Sequence, residues 1–276
     1  SDIAAGGRGA PLLPAVHAML LARPGHTRVV LNLGGIANIT VLGADGSVLG
    51  FDTGPANGLL DAWCLRQRGE SFDRDGRYAV SGQADEALLA QLLDDPYFAL
   101  MPPKSTGREY FHLDWLATHL RLAALQPADV QATLLELTAR SVAAAITQHA
   151  PDAGEVLACG GGVHNGALMR RLTELLAPRA LLSTSRYGVD PDFLEATAFA
   201  WLARQRLLGL PGNLPSVTGA RGPRVLGAIY SAPAAGSSSA RSCRASSTTT
   251  RLPSRRPTTT PTSTATRSST TWPATS

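Results

Sequence analysis

Cysteine is scarce: Cys64, Cys159 and Cys243 stand apart in 276 residues, with no Cys-x-x-Cys pair and no histidine at metal-ligand spacing. That excludes a disulfide framework and a zinc site, and it fits a reducing compartment. No apolar run reaches the ~18 residues that span a bilayer, and no basic-then-apolar leader opens the sequence, so no membrane partner is expected and the location reads as cytoplasmic. Acidic residues are absent from 231–276, which hold Arg241, Arg244, Arg251, Arg255, Arg256 and Arg267. These six arginines exceed the formal charge of +4, so residues 1–230 are mildly acidic. A basic folded face with interleaved aromatics is therefore missing, and nucleic acid is excluded as a partner. The same segment has almost nothing large and apolar, and such a composition cannot offset its ordering entropy, so 231–276 is expected to be a disordered tail. The change just after Tyr230 is abrupt enough to read as a frameshifted or non-native ending.

What is present is an apolar fraction of 44%, enough to build real cores. The length accommodates two small domains better than one large one. Residues 9–23 begin with prolines and turn apolar at helical spacing, which predicts a helix starting near Pro14 and ended by Arg23-Pro24-Gly25. Strands follow at Arg28–Leu33, Asn38–Leu42 and Ser47–Phe51, the last two joined by Asp45-Gly46, a hairpin signal, to give an antiparallel meander. Helices are predicted at Gly58–Gln67, Ala84–Leu93, 113–124, 127–149, Asn165–Leu176 and Phe193–Leu208, with strands at Glu155–Cys159 and Leu181–Ser183 and a loop at 102–109. The Val-Ala-Ala-Ala-Ile stretch in 127–149 marks a buried helix.

Three glycine-bearing turns carry the candidate chemistry. Leu33-Gly34-Gly35-Ile36, between two strands, could aim bare N–H groups at phosphate oxygens, or could be a plain hairpin turn. Asp52, in Phe51-Asp-Thr-Gly-Pro-Ala-Asn57, ends a strand just before a helix. Its carboxylate could accept a proton from a bound water or hydroxyl, or could simply cap the helix or close an Asx turn. Gly160-Gly161-Gly162, after an apolar strand and before a helix, is costly in backbone entropy, which close approach of a flat ligand such as a purine would explain. These glycines match neither the Rossmann spacing nor a P-loop. His164 alone carries no assignment.

In combination, this order of strands and turns resembles the second lobe of the actin, sugar-kinase and Hsp70 ATPase superfamily: an α/β, ribonuclease H-like lobe whose mixed sheet is flanked by helices. Five stretches sharpen the resemblance to the anhydro-N-acetylmuramic acid kinase family. They are Asp2-Ile-Ala-Ala-Gly-Gly-Arg-Gly-Ala-Pro-Leu12, Asn32-Leu-Gly-Gly-Ile-Ala-Asn-Ile-Thr40, Phe51-Asp-Thr-Gly-Pro-Ala-Asn57, Pro103-Lys-Ser-Thr-Gly-Arg-Glu109 and Glu195-Ala-Thr-Ala-Phe-Ala-Trp-Leu202. The resemblance implies ATP and Mg²⁺ as cofactors, anhydro-N-acetylmuramic acid as substrate, phosphorylation at O6 with opening of the 1,6-anhydro ring, and a homodimer. It implies Asp52 as general base, Gly34 and Gly35 at the phosphates, Gly160, Gly161, Gly162 and Asn165 at the adenosine, and Glu195 at the sugar, although a solvated or capping Glu195 reads equally well. Arg8 stands where the family has Gln, and Ala56 where it has Gly, adding a Cβ beside Asp52. Nothing in the sequence matches the family's Gly-Thr-Ser-x-Asp-Gly turn. The expectation is thus a remnant of the first lobe at 1–28, the nucleotide- and sugar-binding lobe at 29–230, and weak ATP binding without turnover by this chain alone. Two other readings stay open: a non-catalytic nucleotide-binding switch module, and a different sugar kinase of the superfamily.

Overall fold

The computed structural model describes residues 2–120 and 125–230. Its centre is β1 (Arg28–Leu33), which pairs antiparallel with β2 (Ile36–Leu42), which pairs antiparallel in turn with β3 (Val48–Pro55). On its other side β1 runs parallel to β4 (Glu155–Cys159), and β4 runs parallel to β5 (Ala180–Ser183). The order is therefore β3-β2-β1-β4-β5 with β2 alone reversed, the arrangement of a ribonuclease H-like lobe.

The alternation of β1 explains its central place. Val29, Leu31 and Leu33 enter one core and Val30 the other, and all four are fully buried. A strand covered on both faces loses its side chains' contact with water on each side, worth about 1.5–3 kcal/mol for each large aliphatic side chain. The larger core is closed by α2 (Asn57–Arg68), α3 (Arg77–Val80), α4 (Glu86–Leu93), the short α5 (Pro96–Ala99), α6 (Leu113–His119), the 23-residue α7 (Pro127–His149) and α8 (Gly166–Leu176). Nearly all of 130–143 in α7 is buried, as its small apolar residues foretell. The opposite face is covered by α1 (Leu13–Leu21) and α9 (Leu194–Leu207), with α10 (Pro215–Thr218) against β3. No helix among the described residues is long and apolar enough to cross a membrane.

Most element positions match expectation. The helix expected at Ala84–Leu93 begins at Glu86, because the Asp85 carboxylate accepts the Leu88 N–H as its cap. The helix expected over 113–124 is helical at Leu113–His119, and residues 121–124 lie outside the described residues, as does the tail expected at 231–276. The third strand is longer than expected. It runs on from Phe51 through Asp52, Thr53 and Gly54 to Pro55, so Asp52 lies within β3 and not at its end. A proline and a glycine are tolerated there because β3 is the edge strand.

The N-terminal and C-terminal segments meet at Asp2. Its carboxylate accepts Asn213 Nδ2 at 2.6 Å and Thr218 Oγ1 at 2.7 Å through one oxygen, and the Gly9 N–H at 2.8 Å through the other. Residues 1–229 accordingly form one compact unit.

Two outcomes follow from this packing. Leu137→Ala, at a fully buried site in α7, should cost about 2–5 kcal/mol of unfolding free energy in urea titrations. His17 on α1 is also fully buried, its Nδ1 2.8 Å from Thr40 Oγ1 and its Nε2 without a partner, and burial holds its pKa down to about 4. The unfolded chain, with a histidine pKa near ~6.5, binds the proton first, so this group's contribution to stability is present above ~6.5 and lost as pH falls toward 4. His17→Gln should flatten the stability profile in that window, and an unchanged slope in denaturation series from pH 7 to 4 would refute the assignment.

Candidate functional site

Because β1 and β4 lie side by side in parallel, with Asn32 opposite Cys159, their carboxyl ends deliver two glycine turns to one place. The chain leaves β1 toward β2 and leaves β4 toward β5 on the other side, which makes this a topological switch point, where open α/β sheets bind ligands. Gly160 takes φ +81°, and a Cβ there would stand 2.9 Å from the Leu33 carbonyl oxygen, so only glycine lets the two turns touch. Gly161, by contrast, has open space in front of it.

The turn after β3 is stapled to the same point. The Gly34 carbonyl accepts the Asn57 N–H at 3.1 Å, and the Gly35 carbonyl accepts the N–H groups of Ala56 and Gly58 at 3.1 and 3.0 Å. Asn57 Nδ2 adds a bond to the Leu33 carbonyl at 2.8 Å. The opening N–H groups of α2, which no helical carbonyl can reach, are thus satisfied by the β1–β2 turn. The turn's tertiary bonds run through its carbonyls, and among the described residues the Gly34 and Gly35 N–H groups have no acceptor. Gly34-Gly35 is therefore more than a plain hairpin turn. Ala56 is fully buried at φ −136° and ψ −127°, a backbone that is not in the positive-φ region but lies outside the extended and helical regions as well.

Asp52 is aimed by a β-bulge. Asn38 pairs with Asp52 and Ala37 with Gly54, so Thr53 is the extra residue, a device that re-aims side chains beside functional sites. The loop at 102–109 lies along this edge. Lys104 accepts the Asp52 N–H through its carbonyl at 3.3 Å, and the Tyr97 hydroxyl donates to the Asp52 carbonyl at 2.7 Å. Ser105 Oγ and the Thr106 N–H both donate to Oδ2 of the Asp52 carboxylate, at 2.7 and 2.9 Å. Asp52 does not cap α2, whose N-cap is Ala56. Half-burial raises the Asp52 pKa above the ordinary aspartate value, and the bonds from Thr106 and Ser105 oppose that rise.

Two cavities flank the glycine turns. The larger, about 560 Å³, is bounded by Asn57, Asp61, Asp73, Arg74, Gly161 and Asn165. The smaller, about 160 Å³, is bounded by Asn32, Gly34, Gly160, Gly161 and Glu195. Gly34, Gly160, Gly161 and Glu195 are thus brought together, while Asp52 lines neither cavity. Asn165 lines the larger one, but its Oδ1 accepts the Leu168 N–H as the cap of α8. His164 is exposed and bonds Asp192 at 3.0 Å. No role for Ser105, Thr106 or Asp61 was expected from sequence, although Ser105 and Thr106 lie in one of the five family-like stretches. Asp61 faces the larger cavity, its pKa pushed up to about 6 by burial, with Arg108 opposing and Asp73 reinforcing the shift. Among the described residues no three His, Cys, Asp or Glu side chains converge to hold a metal.

A β3-β2-β1-β4-β5 mixed sheet flanked by helices, with glycine turns at the β1/β4 switch point, is a ribonuclease H-like lobe of the actin/Hsp70 ATPase type. A family model described as anhydro-N-acetylmuramic acid kinase matches residues 1–232. The chain belongs to that family. A relative named anhydro-N-acetylmuramic acid kinase from Xanthomonas campestris pv. campestris (strain 8004) is 60% identical over 231 residues, covering 84% of this chain and 61% of the relative. One of the same name from Chromohalobacter salexigens is 56% identical over 236 residues, covering 83% and 63%. The chain thus spans about three-fifths of the length of these relatives. A solved structure, the activator of the 2-hydroxyisocaproyl-CoA dehydratase from Clostridium difficile with bound ADPNP, covers 70% of this chain and 68% of its own at 14% identity and a TM-score of 0.39, a likeness too slight to argue from.

Removing the Ser105 hydroxyl takes away one of the two bonds that favour the charged carboxylate. Ser105→Ala should therefore move the Asp52 titration to higher pH when followed by carboxyl-carbon NMR. A titration that stays in place or moves down would show that Ser105 does not hold the carboxylate.

Proposed function

We propose that residues 29–230 form the nucleotide- and sugar-binding lobe of an ATP-dependent kinase. It opens the 1,6-anhydro ring of anhydro-N-acetylmuramic acid and phosphorylates O6, giving N-acetylmuramate 6-phosphate. The observation that carries this reading is the state of Asp52. Both hydrogen bonds to its carboxylate go to Oδ2, leaving Oδ1 without a partner among the described residues. A half-buried carboxylate fixed through one oxygen and open at the other can take a proton from a positioned water.

In the reaction so assigned, water attacks the anomeric carbon and gives its proton to Asp52. The C1–O6 bond breaks, and O6 takes the γ-phosphoryl group as its bond to ADP breaks. Gly34 and Gly35 offer N–H groups to the phosphates, Gly160–Gly162 border the nucleoside, with Asn165 ordering the helix behind it, and Glu195 reaches the sugar. Phosphoryl transfer depends chiefly on positioning and charge neutralisation, which backbone donors at a switch point supply. Mg²⁺ in such enzymes is held largely by the nucleotide phosphates and water, a mode that needs no cage of protein carboxylates. The need for ATP places the reaction in the cytoplasm, as a step that recycles cell-wall amino sugar, and the active species is a homodimer.

Joined to the part of the Xanthomonas campestris relative outside the matched region, the chain should form an acid-stable sugar phosphate from ATP and anhydro-N-acetylmuramic acid, but not from glucose or N-acetylglucosamine. Asp52→Asn should lower that rate by about 10²–10⁴ while ATP still binds. Equal turnover of the other sugars, or a rate indifferent to Asp52→Asn, would remove the proposal.

A further inference from the structure

The loop that clasps Asp52 also places a cation. Two residues beyond Thr106, the Arg108 side chain lies across the β1–β2 turn and the start of α2. A Cβ on Gly35 would stand 2.7 Å from both Nε and Nη2 of Arg108, and one on Gly58 would stand 3.1 Å from Nε. The absence of side chains at two separate positions thus makes room for one guanidinium.

Arg108 has nothing of the protein to hold there. Arg28, Arg140 and Arg171 are paired with Glu155, Glu136 and their neighbours, whereas Arg108 makes no ion pair and no side-chain hydrogen bond among the described residues. Asp61 feels its charge but does not reach ion-pair contact. A guanidinium carries five donors in a planar fork and stays charged at any physiological pH. Beside it lie the acceptor-free N–H groups of Gly34 and Gly35 and the positive end of the 12-residue α2.

Two other cations that touch this loop, Lys104 and Arg8, are spent. Lys104, the only lysine in the chain, turns its ammonium to the Tyr97 and Phe98 carbonyls at 3.2 and 3.3 Å, beneath the Tyr97 ring. Arg8 donates to the Pro103 carbonyl at 2.6 Å.

We propose that Arg108 is a phosphate-binding residue, gripping oxygens of the terminal phosphoryl group of the nucleotide at the Gly35–Gly58 contact. The identity of the ligand rests on the kinase reading; the anion site itself rests on the geometry. Because Ser105 and Thr106 donate to the Asp52 carboxylate, the loop that orients the proton acceptor also carries the phosphate-binding cation.

The test is titration calorimetry of the purified 276-residue chain with ATP, AMP and inorganic tripolyphosphate. The wild type should bind ATP more tightly than AMP, and tripolyphosphate detectably. Arg108→Gln should weaken ATP and tripolyphosphate roughly ten- to a hundred-fold, the scale of lost charge-assisted hydrogen bonds, and leave AMP unchanged. Arg108→Lys, a point charge on a different stem, should recover only part of the loss. The side chain is exposed and unpaired, so the variants should melt at the wild-type temperature. Loss of AMP binding equal to that of ATP, full ATP binding by Arg108→Gln, or a wild type that binds ATP no better than AMP and ignores tripolyphosphate would each overturn the proposal. Arg108-dependent binding of tripolyphosphate by a chain that binds neither nucleotide would uphold the anion site and remove the kinase reading instead.

Discussion

Everything in this site depends on the parallel pairing of β1 with β4. β1 is buried on both faces, so its register is fixed from two sides: a slip of one residue would exchange Val29, Leu31 and Leu33 with Val30 and Asn32 and ruin both cores. With the register fixed, the strand ends cannot separate, and the Gly34-Gly35 and Gly160–Gly162 turns meet. The β3 turn is then drawn in by the first N–H donors of α2, which find the glycine carbonyls. The cleft is therefore a by-product of core packing and helix capping, and its rigidity derives from both.

Much of this was legible in the sequence. The alternation of β1, the Asp-Gly hairpin and the small apolar residues of α7 predicted the strands and the buried helix, since each is a local signal. What failed to show has a common cause. The end of β3 was hidden because Thr53-Gly54-Pro55 reads as a turn, and only its place on the sheet edge lets a strand continue through it. The bulge at Thr53 arises from pairing with β2, which no local pattern encodes.

The polar contacts were harder still. Ser105 and Thr106 lie far along the chain from Asp52, inside a segment that by composition is only a loop. Asp61 occupies a helix position where a solvated carboxylate would be ordinary, and its cavity exists only once α2, the segment at 71–75 and the Gly161 turn have come together. One ambiguity, by contrast, was resolved by geometry: Asp52 spends nothing on capping a helix.

The loop at 102–109 has one more consequence. β3 is an edge strand, and an unpaired edge offers donors and acceptors to any other strand that approaches. By taking the Asp52 N–H on the Lys104 carbonyl, and by laying Ser105 and Thr106 against the carboxylate, the loop occupies part of that edge. The contacts that orient the Asp52 carboxylate thus also stop the sheet from growing outward. A change that loosens this loop would affect solubility as well as the position of the Asp52 carboxylate, and aggregation would register its loss.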